Sequence, residues 1–203
     1  MKGLLLKDLY MTLKYCKPFL FIVVLFTAMS GFVNNSFMFI YPSAFVSLIP
    51  FTLGAYDERS KWNVYCDTLP VDRKAVVSSK YVLTLVAILA VILLTTISMS
   101  VSMLWEDRFD IRAIANKMPL LLLISTGSTS VLIPVYFKYG AEKARIIYLA
   151  TVGVVTAVGA GLGIVDDINL PSLSPLFICL ICGVVFALSW LISSVIYNKR
   201  ELY

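Results

Sequence analysis

The chain alternates between long apolar stretches and short polar interruptions. Each long stretch is sufficient, as a helix, to cross about 30 Å of hydrocarbon. The pattern predicts six spans, at Phe19–Val33, Phe37–Tyr56, Tyr81–Leu104, Met118–Phe137, Ile146–Val165 and Pro175–Tyr197. Only Asn34-Asn35-Ser36 separates the first two, so one re-entrant hairpin is the alternative there, although together they hold enough residues for two crossings. Ahead of them, Leu6, Leu9, Leu13 and Cys16 fall on one face of residues 1–17, with Lys7 and Lys14 on another. This is the pattern of a basic amphipathic helix in the headgroup layer, its lysines near anionic lipid. Pro18 marks the turn into the first span, and the segment reads as retained rather than as a cleaved signal.

Composition agrees with an all-α polytopic membrane protein, a single transmembrane domain over 1–203. Hydrophobic residues make up 60% of the chain and charged residues 14%, which excludes an ordinary soluble domain. The basic residues orient it. Lys2, Lys7, Lys14, Lys17, the loop residues Arg59, Lys61, Arg73, Lys74 and Lys80, then Lys138, Lys143, Arg145, Lys199 and Arg200 fall on one side; the other side has Arg108, Arg112 and Lys117. Basic loops stay in the cytoplasm, so both termini are expected there, in a multi-pass protein of the cell membrane, with Asp166 and Asp167 outside.

Much chemistry is missing from the pattern. No span as drawn carries Asp, Glu, Lys, Arg or His, which argues against a carrier coupled to protons or sodium. Histidine is absent from the whole chain, which rules out a Ser–His dyad, and none of the ten glycines precedes a lysine, as a phosphate-binding P-loop requires. Cys179 and Cys182 form a CxxC inside an apolar span and read as core residues, while Cys16 and Cys66 fall on the reducing side. Gly153, Ala157 and Gly161, like Gly159 and Gly163, have the spacing of close helix packing. Thr95, Ser98 and Ser102 share one helical face, and a second hydroxyl cluster runs from Ser125 through Ser128 and Thr129 to Ser130. Interhelical hydrogen bonding explains both; the alternative is a mildly polar wall of a translocation path. Pro42, Pro50 and Pro134 are expected to kink their helices.

One segment breaks the apolar pattern, the polar loop Asp57–Lys80. A helix from Asp57 places Trp62, Tyr65, Cys66 and Leu69 on one side and pairs Asp57 with Lys61 on the other. Pro70 ends it, and Asp72 can N-cap a second helix that runs into the third span. The aromatic side either rests on the membrane and neighbouring helices or fills a pocket on a partner.

The start MKGLLLKDLYMTLKY and the run ERSKWNVYCDTLPVDRKAVVSSKYV are similar to the small six-helix permease subunits of ABC transporters, the ABC-2-type exporters. The features that carry the resemblance are Glu58, Trp62, Leu69-Pro70, Arg73-Lys74 and Ser79-Lys80-Tyr81. The resemblance implies a coupling helix near Asp57–Thr68 that docks on a separate ATP-hydrolysing subunit, which would hold ATP and Mg. The docking face would be Trp62, Tyr65 and Leu69, rimmed by Glu58, Arg59 and Lys61. It also implies a dimer of permeases in membrane lipid, no cofactor or catalytic residue in this chain, and no nucleic-acid partner. Short re-entrant helices between the fifth and sixth spans, common in that family, have little room in Gly161–Pro175. The resulting expectation is the permease of an ATP-driven exporter for a peptide, lipid or drug. The alternative is a membrane-embedded immunity or regulatory protein with no transport cycle; an ion-coupled carrier is a weaker third reading.

Overall fold

The computed structural model describes residues 2–30, 41–43, 45–69, 72–105, 111–150 and 175–199, and every element among them is helical. The named helices are α1 (Lys2–Tyr15), α2 (Lys17–Ser30), α3 (Ile49–Arg59), α4 (Trp62–Asp67), α5 (Arg73–Trp105), α6 (Ile111–Tyr139) and α7 (Pro175–Lys199). A further helical stretch covers 141–150.

Three of the expected spans are present as helices long and apolar enough to cross a membrane: Arg73–Trp105, Leu121–Tyr139 and Phe177–Lys199. They correspond to the third, fourth and sixth. Gly3–Tyr15 and Lys17–Met29 form a pair bent by 73°, with Cys16 in the bend. Counted as one span, that pair makes four, not six, among the described residues. The second expected span is not one continuous helix there. Residues 41–43 and 45–46 are helical, Ser47 and Leu48 form a turn, and α3 then starts afresh. Pro50 lies in the first turn of α3, where a missing N–H breaks no helical hydrogen bond. Pro134 instead sits inside α6. That helix begins at Ile111, ahead of the expected start of the fourth span at Met118. The Asn34-Asn35-Ser36 break, most of the fifth span with its glycine pattern, Asp166, Asp167 and Pro70 lie outside the described residues.

The long helices bury one stripe and leave the other bare, as lipid-facing helices do. On α5, Val77, Tyr81, Thr84, Ile88, Val91, Thr95 and Met99 are buried, while Val82, Leu85, Leu89, Leu93 and Ile97 are exposed. α6 and α7 make the most extensive helix pair, and α5 lies against both. Hydroxyls join the three. The Tyr81 phenol lies 2.7 Å from Ser189 Oγ and 2.8 Å from Ser193 Oγ, and Ser189 donates to the Ser130 carbonyl at 2.6 Å.

Aromatic side chains fill the core at one end, where Phe51 meets Tyr136 edge-on at 6.1 Å and Tyr148 face-on at 6.3 Å. Gly54 makes this possible. An added Cβ there would stand 2.5 Å from Cζ of Tyr136. Gly54→Ala gains about 1 kcal/mol of helix propensity but overpacks by about 1–3 kcal/mol, so a net loss of stability is expected. Melting temperature in detergent should fall from wild type to Gly54→Ala to Gly54→Val. In a Tyr136→Ala background, itself less stable for the loss of a core aromatic, Gly54→Ala should cost nothing further, and an unchanged melting temperature in both Gly54 variants contradicts the packing.

Candidate functional site

Two acids and two lysines meet where α1, α3 and α5 converge. Lys80 Nζ lies 2.5 Å from Asp57 Oδ2 and 3.3 Å from Asp8 Oδ1; Lys7 Nζ lies 2.8 Å from Asp57 Oδ1 and 3.3 Å from Asp8 Oδ1. The signs alternate around a closed ring. Asp8 and Asp57 are each 1% exposed and Lys80 3%, so each charge has lost its water and depends on its neighbours. Ser79 adds a donor, its hydroxyl 3.1 Å from Asp8 Oδ2. Ahead of α5, the Asp72 carbonyl accepts from the amides of Ala75 and Val76, which puts Asp72 at the N-cap position. Nearby, burial pushes the Cys16 thiol up to about 11, with the Lys80 charge pulling in the other direction.

This ring corrects two sequence expectations. Asp57 pairs with Lys7 and Lys80 rather than with Lys61, because it ends α3 facing the bundle. Lys7 turns inward to the two carboxylates instead of to lipid headgroups, while Leu6, Leu9 and Leu13 remain exposed on the outside of α1.

The expected helix over Asp57–Thr68 is two helices. Asp57, Glu58 and Arg59 finish α3, and Lys61 takes a left-handed conformation (φ 52°) that redirects the chain into α4. α4 divides its side chains. Cys66 is buried, Trp62 is half-buried, and Val64 and Tyr65 are more than half exposed. Leu69, beyond the helix, is half-buried. The Trp62 ring lies 5.7 Å from that of Tyr65, and Lys7 Nζ stands 4.1 Å above it. One lysine therefore touches both the charge ring and the exposed helix.

Glu58 reaches the start of another helix. α6 ends at Tyr139, Gly140 takes φ 85°, and a new helical stretch starts at once at Ala141. Both carboxylate oxygens of Glu58 accept from the Ala141 amide at 3.2 Å, placing a negative charge on that helix start. Arg59 and Lys61 are exposed.

The hydroxyls considered as a translocation wall mostly satisfy their own helices. Thr95 donates to Val91 and Ile92, Ser102 to Met99, Ser125 to Leu121 and Thr129 to Ser125. Two of the set cross between elements: Ser98 donates to the Thr27 carbonyl at 2.6 Å, and Ser128 lies 2.7 Å from Ser47 Oγ. Ser98 and Ser102 also line a groove of about 280 Å³ along α2 and α5. Sequence reasoning missed the ring and the exposure of Val64. Its signal was a lysine and an aspartate flanking the apolar runs, with a Lys-Asp pair in the amphipathic helix.

Long helices with bare apolar faces, packed on a small charged end, define a multi-pass helical membrane protein. A family model described as "ABC-2 family transporter protein" matches residues 3–198, and the chain belongs to that family. It is thus a membrane permease of an ABC transporter, a transport component rather than a catalytic one, and the family implies partnership with an ABC ATPase subunit. No curated protein and no solved structure matches the chain.

Removing one member of the ring leaves a buried charge unbalanced, at about 3–5 kcal/mol. Lys80→Met and Asp57→Asn should each destabilise strongly, whereas the double variant leaves Lys7 balanced against Asp8 and should lose less than the sum. Denaturation in mixed micelles measures the coupling; additive losses would refute the ring.

Proposed function

We propose that this chain is the membrane-spanning subunit of an ATP-driven exporter in the cell membrane, paired with a second permease of the same or a related sequence. Six spans, with both termini and α4 in the cytoplasm, accommodate the basic loops. A separate ATPase docks on α4, and its motion on ATP binding reaches the spans through the charge ring. An amphipathic or hydrophobic peptide, lipid or drug is the cargo.

The observation that carries this reading is the two-sided form of α4. Trp62 and Cys66 anchor it inward, Tyr65 and Val64 face outward, and Lys7 ties its anchor to Asp57. An exposed aromatic on a short, firmly held helix is what a docking element requires. Tyr65 and Trp62 are the docking residues in this account, with Leu69 beside them and Arg59 and Lys61 at the rim. Glu58 contributes by holding the 141–150 helix against the end of α3.

Trp62→Ala with Tyr65→Ala should leave membrane insertion intact and reduce recovery of the co-expressed ATPase by about tenfold or more, as loss of interface anchors does. Tyr65→Ala alone should account for much of it, because Tyr65 touches little of its own chain. Full ATPase recovery by the double variant would sink the assignment.

A further inference from the structure

A cavity of about 310 Å³ opens where α1 bends into α2, beside the end of α3. Its floor is apolar: Phe19, Leu48 and Phe51. Tyr15 and Tyr56, stacked at 4.2 Å, form one wall. Arg59 from α3 and Arg145 from the 141–150 helix stand at the mouth with Glu142. An adjoining cavity of about 410 Å³ shares Arg59 and Glu142 and adds Glu58 and Lys143.

The charges do not cancel. Glu58 is already engaged by the Ala141 amide, leaving three cations against Glu142. Neither arginine has a hydrogen bond or ion pair with another described residue. Two uncommitted guanidiniums above an aromatic slot form a mixed site, apolar below and anion-attracting above. Guanidinium forks match carboxylate and phosphate oxygens, and the apolar floor beneath them accepts a hydrocarbon chain. The volume is at the low end for small-molecule sites and suits one chain rather than a two-chain lipid body.

We propose that this cavity binds a single-chain amphiphile with a carboxylate or phosphate head, its chain on Phe19, Leu48 and Phe51 and its head between Arg59 and Arg145. The inference rests on the permease reading and narrows its substrate class. Such a molecule arrives either as exported cargo or as a resident of the surrounding membrane.

The test uses the purified permease in phosphatidylcholine nanodiscs with a diazirine-bearing hexadecanoate, and maps cross-links by peptide mass spectrometry. Label should concentrate on segments 15–19 and 48–59. Excess dodecyl phosphate should displace it and dodecyltrimethylammonium should not. Arg59→Gln with Arg145→Gln should lower labelling about tenfold, the scale of a lost charge-assisted contact, with no change in melting temperature. Ala55→Phe, which fills the cavity and keeps both arginines, should do the same. Label spread evenly over the lipid-facing sides of α5 and α7, equal displacement by the cationic detergent, or undiminished labelling in both variants would each overturn the site. A second arm adds the ATPase: loss of the bound probe on ATP addition marks it as cargo, and retention marks a resident lipid, both through this site. Labelling needs no ATPase, so the site can fail while Tyr65 still governs ATPase recovery, and the reverse.

Discussion

The end of this bundle is organised by four charges that cannot be separated. Asp8, Asp57 and Lys80 are buried almost completely, and a single buried charge without a partner is prohibitive. Alternation around the ring, with Lys7 as the fourth member, removes the net charge and lets the other contacts form. Because the members come from α1, α3 and α5, the ring settles where the bent N-terminal helix lies, how far α3 extends, and where α5 enters. Apolar packing supplies most of the area but is indifferent to small sliding between helices. A charge ring is not, since ion pairs between dehydrated groups weaken steeply with distance.

The short helix α4 depends on that arrangement. Six residues do not hold a helix in water by themselves. Here α4 is fixed by the left-handed turn at Lys61, by burial of Cys66, and by Lys7 above Trp62. Glu58 performs a similar service one turn earlier, joining the end of α3 to the start of the 141–150 helix. α4 is thus connected in two directions, one through Lys7 to α1 and one through α3 to the 141–150 helix. Further along the membrane helices the connections are looser, made of hydroxyls such as Ser98 and Tyr81 reaching a neighbouring helix. Most other hydroxyls return their proton to their own backbone and leave the helix surfaces apolar.

The long helices were legible because twenty or so apolar residues in succession have few alternatives in a membrane. Helices long and apolar enough to cross a membrane cover the expected third, fourth and sixth spans, the third starting at Arg73 rather than Tyr81, and the family was legible from the polar loop. In the second span, Pro42 and Pro50 marked kinks, but the chain turns at Ser47 and Leu48, just ahead of Pro50, and a proline in an apolar run does not by itself tell a kinked helix from one that stops and restarts. Glu58 and Asp57 were read as surface residues because adjacent charges in a polar loop usually are. Ala141 lies far along the chain from Glu58, and Lys80 at the other end of the loop is not at helical spacing from Asp57, so local spacing carries no information about either meeting. The amphipathic pattern of residues 1–17 placed Lys7 on a polar face, and a polar face can meet buried carboxylates as well as lipid headgroups.

Sequence alone determined that this chain is helical, that it belongs in a membrane, and that its polar loop is the segment unlike the rest. Those properties follow from local composition, which acts on each segment separately. Tertiary structure alone decided which charges would be buried, that α4 would begin at Trp62 rather than Asp57, and that Arg59 and Arg145 would share the mouth of one cavity. The reason is physical. The free energy of a charge depends on what replaces its water, and only the packed helices determine that replacement.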